Sequence, residues 1–151
     1  MSRTAFPLLL VLALGLAAGC TKVVEDTRPG QPVKTRQVAF KEMIKVFEPM
    51  GTMLRTDKYE PHRFAALAAE LMTKRDAPWV HFGPDTRYPP TKAKAEVWSD
   101  AEGFERERQA FMRATDELLA AAKTKNAAEA EKAYFRVYDV CQSCHKRFKE
   151  K

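Results

Sequence analysis

The residues of this chain best suited to chemistry stand together near its C-terminal end, as Cys141-Gln142-Ser143-Cys144-His145. Two thiols three residues apart, followed at once by an imidazole, form the pattern of a c-type haem attachment site. In a helix, Cys144 lies three residues and His145 four residues beyond Cys141, so all three project to one side. Two thioether bonds then hold the ring edge-on against the helix while His145 reaches the iron. One covalent haem c is therefore expected, with His145 as proximal iron ligand. Two other chemistries use the same residue types. A thioredoxin-like dithiol has its cysteines at a helix start after a strand, whereas these end a helical stretch. A structural zinc site needs a fourth ligand at suitable spacing, and no second Cys-x-x-Cys and no His-x-x-x-His is present.

The remaining cysteine, Cys20, belongs to a different signal. Arg3 precedes an apolar stretch, Phe6 to Leu16, that is too short to span a bilayer unaided. Ala17, Ala18 and Gly19 then lead straight into Cys20, an arrangement that resembles the lipobox of bacterial lipoproteins. Ordinary secretion with an incidental cysteine is the competing reading, since Ala17 stands where leucine is more usual. Residues 1–19 are expected to be a removed signal peptide. Residues 20–33, with Pro29, Gly30 and Pro32, read as a lipidated N-terminus and flexible tether, and 34–151 as the domain. Thr21 in place of aspartate favours the outer membrane. Membrane contact is expected through the lipid anchor only, in the periplasm, which agrees with haem attachment outside the cytoplasm.

At 151 residues the chain has room for one domain with a real core. Its net charge of +6 comes from 26 basic residues spread along the sequence. No basic run interleaved with aromatics appears, so nucleic acid is not an expected partner. The charge predicts only attraction of anionic partners at low salt.

The elements that must position the haem motif are helical. Arg36, Phe40, Met43, Phe47, Met50 and Leu54 alternate spacings of four and three, which puts them on one face of a first helix beginning near Lys34. Pro49 lies inside that run and predicts a kink. A second helix should begin at Pro61 and reach about Lys74, with Phe64, Leu67, Ala68 and Leu71 on one face. Residues 76–98 form a long connection holding Pro78, Pro84, Pro89 and Pro90. Ser99 and Glu102 make a capping-box pattern for a third helix to about Lys123, and Asn126 with Glu129 opens a fourth. The fourth carries Tyr134, Val137, Tyr138, Cys141, Cys144 and Phe148 on one stripe. With no period-two alternation, the expected fold is all-α, an antiparallel four-helix bundle with its cofactor between facing helices.

A bundle ending in this motif resembles the cytochrome c′ family, the class II c-type cytochromes. The resemblance covers about residues 34–149. It rests on Arg36-Gln37, Pro78-Trp79, Phe82-Gly83-Pro84, Glu96-Val97-Trp98-Ser99-Asp100 and the terminal haem motif. It implies a haem whose distal face is closed by helix one. There the residue four after the arginine sits over the iron, and here that residue is Phe40. Methionine at that place gives a six-coordinate electron carrier; a bulky apolar group gives a five-coordinate iron that binds nitric oxide and carbon monoxide. Phe40 cannot ligate iron, which favours the gas-binding case.

Met43, three residues on along the same face, is the alternative sixth ligand and would make the protein a low-spin electron carrier; its other reading is a core-filling methionine. The resemblance further implies that Arg36 pairs a haem propionate and that Gln37 bonds one. It places Trp79 beside the haem and Glu96 either at the haem edge or capping the third helix. Lys149 stands where the family often has arginine, but lacks its planar fork of donors. His62 and His81 are expected to be solvent-exposed or locally bonded. No acid–base pair or nucleophile accompanies the haem motif, so no enzyme turnover is expected. The resemblance also implies an unknown redox partner and a homodimer through exposed faces of the first two helices.

Overall fold

The computed structural model describes residues 24–151. Its elements in order are α1 (Pro32–Arg55), α2 (Pro61–Lys74), a 3-10 turn at Trp79–His81, the single turn α3 (Glu96–Ser99), α4 (Ala101–Thr124) and α5 (Ala127–Phe148). The four long helices form an all-α bundle. Among the described residues the only strand-like pairing is an isolated antiparallel bridge between Ala93 and Lys149. No helix among these residues is long and apolar enough to cross a membrane. The signal-peptide and Cys20 expectations lie outside the described residues.

Each helix starts where its local chemistry allows, with two departures from expectation. α2 opens on Pro61, whose missing N–H costs nothing in a first turn. α5 is capped as predicted, Asn126 Oδ1 accepting from the Glu129 N–H at 3.1 Å. The cap of α4, however, is Asp100, whose Oδ1 accepts from the Gly103 N–H at 3.0 Å. Ser99 instead ends α3, a turn the sequence pattern did not reveal because it is only four residues long. α1 begins two residues before Lys34 and continues as helix through Pro49 to Arg55.

The start of α1 corrects the assignment of a free tether up to residue 33. Its N-cap, Gln31, is in the left-handed region (φ 43°) and offers no side-chain cap. Asp26, only 2% exposed, reaches forward instead. Its Oδ2 accepts from the Lys34 N–H at 3.0 Å, and its Oδ1 accepts from the Tyr88 hydroxyl at 2.8 Å and the Arg28 N–H at 3.3 Å. A carboxylate here also complements the positive end of the helix dipole. Arg28 lies over the Tyr88 ring and donates to the Asp85 carbonyl. Asp26 is therefore already part of the folded domain.

This carboxylate gives the fold a pH dependence of known sign. Burial raises the Asp26 pKa, but the bonds from the Lys34 N–H, Tyr88 hydroxyl and Arg28 N–H outweigh it and hold the group below its usual value. A group depressed in the folded state stabilises fully above its unfolded pKa and loses that contribution as pH falls through the folded one. Urea midpoints measured from pH 7 down to about 3, where an ordinary aspartate takes its proton, should fall. In Asp26→Asn the fall should be shallower. It should not vanish, because Glu105, pulled down to about 2 by Arg108 and Gln109, titrates in the same direction. Equal slopes for the two proteins would sink this assignment.

The core is one cluster drawn from all four long helices, including Met43, Val46, Met50, Phe64, Leu71, Phe111, Leu118, Tyr134 and Val137. α5 packs mainly on α4, and α1 on α2. The α1–α5 side closes firmly at one level, where Phe47 stacks on Tyr134 at 4.3 Å. Gly51 permits that approach: a Cβ there would collide with the Tyr134 hydroxyl. Tyr138, expected on the inner stripe of α5, is 44% exposed and faces solvent.

Candidate functional site

The site is built at the other end of the α1–α5 seam. Lys94 N–H donates to the Phe148 carbonyl (2.9 Å) and Glu150 N–H to the Lys92 carbonyl (2.7 Å), so the long connection is fastened to the end of α5. Arg36, near the start of α1, bonds the same connection. α1 and α5 are therefore antiparallel. Seven residues back from Phe47 is Phe40, and seven forward from Tyr134 is Cys141. At 1.5 Å per residue both steps span about 10 Å, so Phe40 and Cys141 stand level across the seam.

On the α5 side, Cys141 and Cys144 are partly buried free thiols and His145 is exposed. Burial pushes the Cys141 thiol up to about 11. Burial, and then the Glu107 charge, does the same to Cys144. Neutral thiols are the opposite of what a dithiol redox site needs, which is a depressed pKa. Desolvation, then the Lys149 charge one turn on, lowers the His145 pKa and so favours the neutral imidazole, whose lone pair is available to a metal. No three His, Cys, Asp or Glu residues converge among the described residues to hold a bare metal ion. Two thiols and an imidazole on one face of one helix are the donor set that covalent haem requires.

The orientation of that face is fixed from behind. Ser143 Oγ donates to Glu107 at 3.1 Å, and Arg147 bonds both Glu107 (3.3 Å) and Asp100 (2.8 Å) on α4. Exposed pairs of this kind contribute at most about 1 kcal/mol each. Their effect is to set the roll of α5, leaving Gln142 and Ser143 exposed and Cys141 packed against the core.

Opposite lies an aromatic cluster. Phe40 meets Trp79 edge-to-face at 5.5 Å and Phe82 at 6.3 Å. Trp79 and Phe82 continue to Phe104 at 6.1 Å and 5.0 Å, and Phe104 reaches Phe148 at 5.4 Å. Trp79 is held by its Nε1–H donating to the Arg75 carbonyl at 2.6 Å. Trp98 Nε1–H bonds the Gly83 carbonyl at 2.9 Å and fixes the turn that carries Phe82. Edge-to-face pairs add about 0.5–1.5 kcal/mol each beyond burial, enough to give the Phe40 ring one preferred setting. Met43 is 6% exposed and sits within the core cluster.

Two expected site residues, Arg36 and Gln37, bond other partners, and a third, Glu96, is exposed. Arg36 is 3% exposed, not a solvated helix residue. Its Nη1 donates to the His81 carbonyl (2.8 Å) and Thr86 Oγ1 (2.9 Å), its Nη2 to the Thr86 carbonyl (3.1 Å) and Thr91 Oγ1 (2.6 Å). All four terminal donors are thus committed to the long connection, leaving only Nε–H for a propionate. Gln37 donates to the Pro90 carbonyl at 3.0 Å. Glu96 is exposed at the start of α3, and the capping of α4 falls to Asp100. Phe82, Phe104, Thr86 and Thr91 were not singled out as site residues. Aromatic spacing toward the haem motif was a usable signal for Phe104. The threonines carry none, because only the folded connection shows what they bond.

With this geometry in place, the similarities to known proteins are informative. A family model described as cytochrome c′ matches residues 31–149. Cytochrome c′ of Rubrivivax gelatinosus is 35% identical over 126 residues, covering 82% of this chain and 98% of that protein. Cytochrome c′ of Alcaligenes xylosoxydans is 31% identical over 125 residues, covering 82% and 97%. The crystal structure of the Rubrivivax protein superposes with a TM-score of 0.77 at 33% identity, over 83% of this chain and all (100%) of that one. A nitric oxide complex of a variant of the Alcaligenes protein also gives 0.77, at 31% identity over 84% and 100%.

Proposed function

This chain belongs to the cytochrome c′ family and binds covalent haem c, and we propose that it is a five-coordinate gas-binding protein, taking nitric oxide or carbon monoxide on the side guarded by Phe40. The observation that carries the reading is the Phe40 ring, a side chain with no ligating atom, packed by Trp79 and Phe82 level with Cys141. When bound, the haem supplies an iron centre able to take a diatomic gas. The chain's own residues do the rest. Cys141 and Cys144 would hold the haem against α5 and His145 would ligate its iron. Phe40 would keep water and protein ligands away from the gas site and admit only a molecule small enough to pass it. The nitric oxide complex of the Alcaligenes relative supports the choice of ligand.

The proposed role is gas binding, and the aromatic groups around Phe40 support it as an apolar pocket. Met43 bears on the alternative, an electron carrier with a thioether sixth ligand. Its place among Val46, Met50 and Phe111 in the core supports a filling role. Met43→Leu, a volume-conserving change costing less than about 1.5 kcal/mol, should leave the oxidised and reduced visible spectra unchanged. Loss of a methionine-to-iron charge-transfer band in that variant would instead favour the electron carrier. The reading as a whole is tested by the reduced wild-type spectrum with and without nitric oxide. A low-spin spectrum indifferent to the gas overturns it.

The chain's expected export, lipidation at Cys20 and outer-membrane placement belong to the same proposal. Cys20→Ser should move the protein from the membrane fraction to the soluble periplasmic fraction.

A further inference from the structure

Arg36 is a buried cation whose four hydrogen bonds among the described residues all go to neutral acceptors. Its guanidinium is satisfied by neutral acceptors on the connection between α2 and α3: the His81 and Thr86 carbonyls and the Thr86 and Thr91 hydroxyls. Its Cζ also lies 4.4 Å from the centroid of the Phe82 ring. Lysine could not replace this arrangement, since four donors diverging from one plane are a guanidinium property. The segment so gathered carries Phe82 and is continuous with Trp79, the two rings that pack Phe40. Arg36 itself lies one helical turn before Phe40 on α1. One side chain thus fastens the connection to the helix that bears the guarding ring.

We propose that Arg36 is a positioning residue for the distal pocket: by clamping residues 81–91 against α1 it holds Phe82 and Trp79 on Phe40, and so sets the rate at which a small gas gets past that ring. This rests on the reading of Phe40 as the guard. The clamp acts through Phe40 and touches no ligand itself. Its removal should therefore matter only while the Phe40 ring is present.

The test uses the haem-loaded protein. Arg36→Gln breaks the fork, Arg36→Lys keeps the charge without it, and Thr91→Val removes the acceptor of the shortest bond with almost no change of shape. Amide hydrogen exchange over residues 79–91 is measured in each, and carbon monoxide association is followed in the reduced proteins with Phe40 and with Phe40→Ala. All three variants should speed exchange in 79–91 and raise the association rate several-fold. In the Phe40→Ala background the same substitutions should leave that rate unchanged, the non-additivity expected of residues acting as a unit. Unchanged exchange in Thr91→Val and Arg36→Lys overturns the clamp. Equal rate effects with and without the Phe40 ring overturn the coupling. A wild-type protein that takes up no carbon monoxide overturns the gas-binding reading, and this proposal with it.

Discussion

Replacing Phe40 with alanine is expected to raise the association rate of carbon monoxide with the reduced protein by about tenfold or more, which is at least about 1.4 kcal/mol of barrier. The ring is held from two sides, by Trp79 at 5.5 Å and Phe82 at 6.3 Å, so an incoming molecule must displace a packed aromatic group. Alanine removes the obstacle and leaves a space its neighbours fill only in part. The variant should also weaken the fold, because truncating a packed phenylalanine costs about 3–5 kcal/mol. Phe40 is only partly buried, so the lower end applies. Stopped-flow mixing measures the rate and urea titration the stability. A rate unchanged from wild type would mean that Phe40 does not guard the gas site.

The second large effect concerns attachment. Replacing Cys141 and Cys144 together with serine should abolish all haem that survives denaturation, seen as loss of in-gel haem staining. Each thiol is neutral and partly buried, and each can form one thioether bond to the haem, so only the loss of both sulfurs removes every covalent link. Serine preserves size and helix, so the change isolates the covalent bond from the fold. Staining that persisted in the double variant would place the attachment elsewhere. The helical content of the double variant should stay near wild type, because Cys141 packs only at the margin of a core centred on Phe64, Leu71, Leu118 and Val137 and serine is close to cysteine in size.

Much of this arrangement is legible in the amino-acid sequence, and the reasons differ by element. Helical periodicity is a local property, so α2 and α5 fall where the apolar spacing and their Pro61 and Asn126 signals put them. The haem motif is likewise local, five residues whose chemistry does not depend on their surroundings. What escaped was non-local. Asp26 caps α1 from six residues before the first helical residue, Pro32, and no capping pattern looks that far back. The task of Arg36 is set by carbonyls 45 to 50 residues away. An arginine on the inner stripe of a helix announces a buried partner, but only the folded connection identifies it. Ser99 and Asp100 both suit a cap; the intervening turn α3 decides between them.

The Asp26 latch has a consequence for reach. Between Cys20 and Asp26 lie only six residue steps, at most about 20 Å of fully extended chain. If Cys20 carries the lipid proposed above, the end of the bundle bearing Arg28, Lys34 and Arg87, all exposed, would stay within a few Debye lengths of the headgroups. A protein so leashed patrols a thin layer, not a volume, and presents mainly one end to the surface. Its encounters are then with whatever else is held in that layer, at an effective concentration that free diffusion through the compartment would not reach.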